Sequence, residues 1–254
     1  MRIVVCYKCV PEEAEIVIRA DRTLDTSKSQ WKIGTYDLNA VEAGMQAMET
    51  MGGEVLALTA GDRAVDNSKM RKAILSRGPS KMCGVRDKRL ENADSYLTAT
   101  ALKAGVDRIG NVDLVICGEG SGDLYAQQVG PLLGALLGWT TVNAVSKIVP
   151  MDGGLILERS LENSVEVLKA DLPAVVSVTS DINIPRIPAM KDILSAGKKP
   201  FEQWDLVELG AQAESGSQTV EVLAPEETER LGIILEEGGA EDIDTLYRYL
   251  CKLI

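Results

Sequence analysis

The residues best suited to chemistry lie directly after the apolar run at 112–117 (VDLVIC), where the chain reads Gly118-Glu119-Gly120-Ser121-Gly122-Asp123. Glycines let a backbone approach a phosphate closely, and the first turn of a following helix offers unpaired N–H groups at its positive end. A helix is expected over 125–137, with Asp123 as its natural N-cap and Gln127 and Gln128 facing the loop from the first turn. Such a strand, loop and helix can hold a phosphorylated nucleotide. The plainer alternative is a glycine-rich turn capped by Asp123. Familiar fingerprints fail one by one. The third glycine of G-x-G-x-x-G is replaced by Asp123, and the run follows the fourth expected strand rather than the first. No G-K-[ST] is present, and Gly120 occupies the centre where a nucleophile elbow needs serine. A pyrophosphatase-type serine-glycine loop would follow the first strand, where this chain has Tyr7-Lys8-Cys9-Val10. The residues therefore describe a nucleotide binder without a catalytic apparatus of its own.

Composition narrows the choice further. The 254 residues include no histidine, so Ser-His-Asp triads, Cys-His pairs and His-ligated metals cannot be built from this chain alone. Aromatic residues make up 4%, with a single Phe, too few for a single-stranded nucleic-acid platform. Lys and Arg total 27 against 38 Asp and Glu, and the net charge of −11 disfavours nucleic acid and anionic lipid. No apolar run reaches the roughly 18 residues a bilayer span requires, and the N-terminus lacks the features of a signal peptide. The expected compartment is the cytoplasm, with no membrane insertion. Five cysteines, an odd number, argue against a disulfide framework. Cys6 and Cys9 form a C-x-x-C, but Cys6 still belongs to the apolar strand run, so small side chains lining a strand end are preferred over a redox pair.

The elements that must position these residues follow from hydrophobic periodicity. Residues 2–7, 54–59, 81–85 and 112–117 read as strands, and 37–51, 65–76, 95–104 and 125–137 as helices. Their alternation predicts βαβ units, hence a Rossmann-like α/β domain with a parallel sheet. After Trp139 the pattern turns strand-rich. Residues 141–149 and 155–158 flank the turn signal Asp152-Gly153-Gly154, and 165–170 and 174–179 continue what is expected to be an antiparallel extension. The stretch 183–199 is framed by Pro185, Pro188 and Pro200, yet carries Ile184, Ile187 and Met190. A long loop holding apolar residues between prolines is more often functional than disordered. A linker composition begins near residue 209, followed by a strand-like 219–223 and a helix expected over 241–253.

Several segments together resemble the electron-transfer flavoprotein beta subunit. They are YKCVPEE, YDLNAVEAG, VDLVICGEGSGDLYAQQVGPLLGALL and LPAVVSVTSDINIPRIPAMKDILSAGKKP, and the wording is closest to the Fix-type branch associated with carnitine and related acyl-CoA reduction. The resemblance covers residues 1–205. It implies a heterodimer with an alpha subunit, an FAD held mainly by alpha and shared across the cleft, and an adenine-nucleotide site in beta. That site holds AMP in conventional members and a second, NADH-oxidising FAD in electron-bifurcating ones. The family's nucleotide contacts fall here on Cys6, on Gly34 to Asp37 (including Tyr36), on Ala60, and on Gly118, Gly120, Ser121, Gly122, Asp123, Ala126, Gln127, Gln128 and Val129. No catalytic residue is implied. Three departures stand out. Val129 replaces a phosphate-binding Thr of AMP-binding members, and Gly34-Thr35 replaces their Asn-Pro. Glu119-Gly120-Ser121 replaces the Arg-Gln-Ala of bifurcating ones, and a glutamate there would repel a pyrophosphate unless it turned away. The 183–199 stretch matches the recognition loop that docks on acyl-CoA dehydrogenase-type partners, with Met190 at its anchoring position and Ile187 beside it. The resemblance divides the chain into a nucleotide-binding domain, 1–205, and an arm, 206–254, that packs on the alpha subunit. An NADH-oxidising bifurcating subunit and a stand-alone AMP- or ATP-binding stress-type domain are the alternative readings.

Overall fold

The computed structural model describes residues 1–212, 214–226, 232–235 and 238–252. In chain order the elements are β1 (Arg2–Cys6), β2 (Cys9–Pro11), β3 (Val17–Ile18), β4 (Leu24–Asp25), β5 (Trp31–Ile33), α1 (Thr35–Met51) and β6 (Glu54–Gly61). They continue with α2 (Ser68–Leu75), β7 (Lys81–Arg86), α3 (Ser95–Ile109), β8 (Leu114–Gly118), α4 (Val129–Leu137) and β9 (Thr140–Met151). The last are β10 (Gly154–Ser160), β11 (Val165–Asp171), β12 (Ala174–Val178), α5 (Met190–Ala196), β13 (Phe201–Trp204) and α6 (Ala240–Leu250).

A nine-stranded sheet in the order β11-β10-β9-β12-β8-β1-β6-β7-β13 forms the middle layer, parallel from β9 through β13. Its central strands are apolar on both faces because helices cover both. Ile3 and Val5 of β1 face a layer built from α1, α2 and α5, with Ala40, Val41, Met45, Ile74 and Ala196. Val4 and Cys6 face the opposite layer, with Leu97, Leu102 and Val106 of α3 and Leu133 of α4. The expected α/β architecture is therefore the one observed. Asn67 starts α2 by accepting from the Lys69 and Met70 amides at 3.0 and 3.2 Å, and Asp94 starts α3 by accepting from Leu97 at 2.8 Å.

Several boundaries differ from expectation, each for a physical reason. Helix α3 runs past Ala104 because Gly105 is where it packs tightly on Leu58 rather than where it stops. The antiparallel extension is confined to β10 and β11, since β12 lies inside the parallel sheet between β8 and β9. All five of its residues are buried, as a central strand requires. Residues 219–223 form no strand; Leu223 makes a single bridge to Thr23. The terminal helix ends at Leu250, and Leu253 of the expected span lies outside the described residues. Sequence reading also passed over the small β2–β5 and β3–β4 ladders and β13, an edge strand that pairs parallel to β7. Beyond β13 the chain stays against the domain: Leu206 is fully buried, and Asp94 Oδ2 accepts from the Gly216 and Ser217 amides.

Candidate functional site

Strand β1 lies between β6 and β8, and the chain leaves it toward β6 and β7 before returning on its other side as β8. The loops after β1 and β8 thus part from one another, which opens a crevice beyond the carboxyl ends of the strands. Cys6 ends β1, Gly118 ends β8 and Ala60 lies at the end of β6. The first turn of α1 closes the crevice from the side. Its Asp37 is buried, and its Oδ2 accepts from the Lys8 amide at 2.8 Å. The Gly34 amide in turn donates to the Lys8 carbonyl at 3.0 Å, tying the two loops together. Gly118 fits under this turn only because it lacks a side chain: a Cβ there would sit 2.8 Å from Asp37 Oδ1 and 2.8 Å from Tyr36 Cβ.

The rim is organised by pairs that sequence spacing does not reveal. Tyr125 lies against Gly120, where a Cβ would fall 2.5 Å from the ring, and its centroid is 5.3 Å from that of Tyr36. The Tyr125 hydroxyl donates to Glu119 Oε1 at 2.8 Å and receives a longer bond from Gln127 Nε2 at 3.4 Å. Glu119 is thereby turned onto Tyr125, and this hydrogen bond pushes the phenol above its ordinary range. Lys8 Nζ binds both carboxylate oxygens of Asp123, at 2.6 and 2.9 Å. Burial works to raise the Asp123 pKa, but the Lys8 charge and hydrogen bond, with help from Ser121, hold it below the usual carboxylate value.

Asp123 is therefore not the helix cap. Helix α4 begins at Val129, since Tyr125 and Gln127 take left-handed backbone angles, φ 45° and 56°, that a helix cannot contain. The residue before it, Gln128, makes no side-chain cap bond, so the amides of the first turn face the loop without a protein acceptor from that side chain. Asp37 is the other group with an unusual titration. Burial pushes its carboxyl up to about 7, against the lowering pull of the Lys8 amide and charge.

A family model for the electron transfer flavoprotein domain matches residues 21–209. The chain belongs to the electron transfer flavoprotein family. Proteins of this family carry electrons between redox partners. In this electron transfer flavoprotein domain, Tyr36, Asp37, Gly118, Gly120 and Asp123 are brought together at the crevice, Ser121 and Gly122 lie in the same loop, and Ala60 stands at the neighbouring strand end, whereas the Cys6 side chain is buried in the α3–α4 layer. Ala126, Gln127, Gln128 and Val129 carry the loop into α4. Cys6 and Cys9 face opposite layers of the sheet, so the C-x-x-C brings no thiol pair together; the neighbour of Cys6 is Cys117 on β8.

Ile187 and Met190 belong to a separate surface of the electron transfer flavoprotein domain, 93% and 71% exposed. Their loop is fastened to α1. Asn39 Nδ2 donates to the Ser180 and Asn183 carbonyls at 3.1 and 2.8 Å, and Asn183 Nδ2 returns a bond to the Asn39 carbonyl at 3.0 Å. Arg186 grips both oxygens of Glu42 at 2.6 and 3.0 Å and reaches Glu49 at 3.0 Å. Burial would raise the Glu42 pKa, but Arg186 holds it below the usual value. Lys8, Tyr125, Asn39, Glu42 and Arg186 are not among the site residues expected from the sequence. A signal existed for Asn39 and Glu42: both sit among the apolar residues Ala40, Val41 and Ala43 on the buried side of α1, where a polar group needs a partner.

Proposed function

We propose that this chain is the beta-type subunit of a heterodimeric electron transfer flavoprotein of the Fix-type branch, binding an adenine nucleotide in the 118–129 loop. The observation that carries this reading is the glycine-lined loop at the switch point, opening onto the uncapped first turn of α4. The arrangement fits a phosphorylated ligand on its own terms. Amides and the positive end of a helix lie at the loop, the Lys8 ammonium neutralises Asp123 within it, and Glu119 is engaged by the Tyr125 hydroxyl. In this role the protein positions and surrounds the nucleotide. A bound flavin would supply the electron chemistry, with FAD shared with an alpha subunit at the facing cleft.

The exposed tip of the 183–199 loop is the docking element for an acyl-CoA dehydrogenase-type flavoenzyme, with the flexible thioether of Met190 as its apolar anchor. Within the expected arm, 206–254, α6 is the element that packs on alpha. The deciding experiment is a nucleotide count after acid release from the co-purified complex. One FAD and one AMP per heterodimer identify a shuttle whose beta nucleotide is structural. Two FAD identify a bifurcating complex with a hydride-accepting flavin in the beta site. No nucleotide attributable to the 118–129 loop overturns the reading.

A further inference from the structure

Asp37 is a carboxylate in a buried position. Its carboxylate sits beneath three converging segments: the turn after β1, the first turn of α1 and the start of the loop after β8. Two glycines wall it in, since a Cβ on Gly34 would lie 2.7 Å from Oδ2 and one on Gly118 2.8 Å from Oδ1. The cation nearest in sequence to its Lys8 amide partner, the Lys8 ammonium, is held by both oxygens of Asp123 instead. A buried carboxylate thus lies under the 118–129 loop, held by the Lys8 and Gly118 amides, while the Lys8 ammonium that acts on it is bonded to Asp123.

From this placement we infer that Asp37 takes up a proton when an anionic nucleotide binds in the 118–129 loop, so that nucleotide affinity weakens as pH rises. The inference rests on the nucleotide-site reading above and adds to it a positioning residue that titrates. A phosphate seated on the loop brings like charge toward Asp37, and like charge disfavours the ionised form. The free protein is already poised for this, with the carboxyl raised to about 7 by burial and the Asp123 charge, against the Lys8 amide and charge. Its other neighbours do not compete near neutrality. Cys6 is pushed well above its ordinary value by its hydrogen bond to Cys117 and by burial, Tyr7 by burial, and Cys9 to about 12 by burial. Asp123 is held ionised by Lys8.

The sign follows from linkage. A carboxyl raised in the fold binds its proton more tightly there, so its stabilising contribution is complete below about pH 4 and is lost as pH rises through about 7. Bound nucleotide moves that upper edge higher, and the difference is proton uptake on binding.

The test titrates AMP, the portion common to both candidate ligands, into the nucleotide-stripped full-length chain in complex with its co-purified partner. Calorimetry at pH 7.5 in buffers of different ionisation heat counts the protons. Because the AMP phosphate, with a second pKa of about 6, and Asp37 would raise one another's pKa, the 31P shift of bound AMP between pH 6.5 and 8.5 separates a proton held on the phosphate from one held on the protein. The expected result is fractional uptake, with affinity about three- to tenfold weaker at pH 8.5 than at pH 6.5. In Asp37→Asn, uptake is lost and the affinity profile flattens. No uptake by the wild type, or an unchanged profile in Asp37→Asn, overturns the inference while leaving the nucleotide site intact. If that variant fails to fold, the wild-type proton count and 31P shift together decide. AMP that does not bind at any pH overturns the site reading and the inference together.

Discussion

Ser177 and Gly130 meet where β12 passes beneath the first turn of α4. The Ser177 hydroxyl is buried with no hydrogen-bond partner among the described residues, and a Cβ built on Gly130 would fall 2.0 Å from it. Helix α4 therefore presents its amides to the loop only because residue 130 has no side chain. Gly130→Ala is expected to destabilise the fold by about 1–3 kcal/mol through overpacking and to lower nucleotide affinity by shifting the helix start. Ser177→Ala removes an unsatisfied hydroxyl and should be neutral or slightly stabilising. The double variant should recover part of the loss, because the overlapping atom is gone. Denaturant titration of the two singles and the double checks this, and additive losses would show that the contact is not the cause.

At the scale of the elements, the docking loop behaves as a separate part because its anchor lies in α1 rather than in the sheet. The Glu42 side chain is only 8% exposed, so removing Arg186 leaves a largely buried carboxylate without its partner. Arg186→Ala should cost about 1–3 kcal/mol and raise amide exchange across 183–189, whereas Met190→Ala should cost almost nothing. On the proposed function, both should slow electron transfer to an acyl-CoA dehydrogenase-type partner while the nucleotide content of the co-purified complex stays unchanged; lost nucleotide in either would mean the loop supports the crevice instead. The same elements show what the sequence discloses. Strands β1, β6, β7 and β8 were legible because they are apolar on both faces and bounded by turn residues. The glycine loop was legible because no side chain fits where it passes Asp37 and Tyr125. The start of α4 was not, since Tyr125 and Gln127 take left-handed angles in a loop whose Asp123 is held by Lys8, 115 positions away in the chain. Nor was the Arg186–Glu42 pair, which joins residues 144 positions apart. Periodicity reports local structure and carries no trace of such contacts.

For the molecule as a whole, α6 is the element without a home. None of its described residues is buried, yet Ile243, Leu246, Tyr247 and Leu250 share one helical face and are 65%, 49%, 64% and 49% exposed. An apolar stripe of this kind contributes little to its own chain and gains by covering a partner. Deleting residues 239–254 should leave the thermal midpoint of the isolated chain unchanged and, on the proposed heterodimer, abolish co-purification with the alpha subunit. A large drop in the midpoint would place the helix on its own domain instead. Among the described residues no helix is long and apolar enough to cross a membrane. The path of the chain between β12 and β13 has a different kind of consequence. It leaves the middle of the sheet and re-enters at the far edge, with β8, β1, β6 and β7 lying between. Both ends are set by strands that pair parallel to fixed neighbours, and the middle is clamped to α1. The exposed tip at 187–194 can then be rewritten by mutation without shifting the register of any strand or touching the crevice. On the proposed function, that makes the tip an interchangeable cassette, in which the partner-docking surface can change while the proposed nucleotide-binding body stays the same.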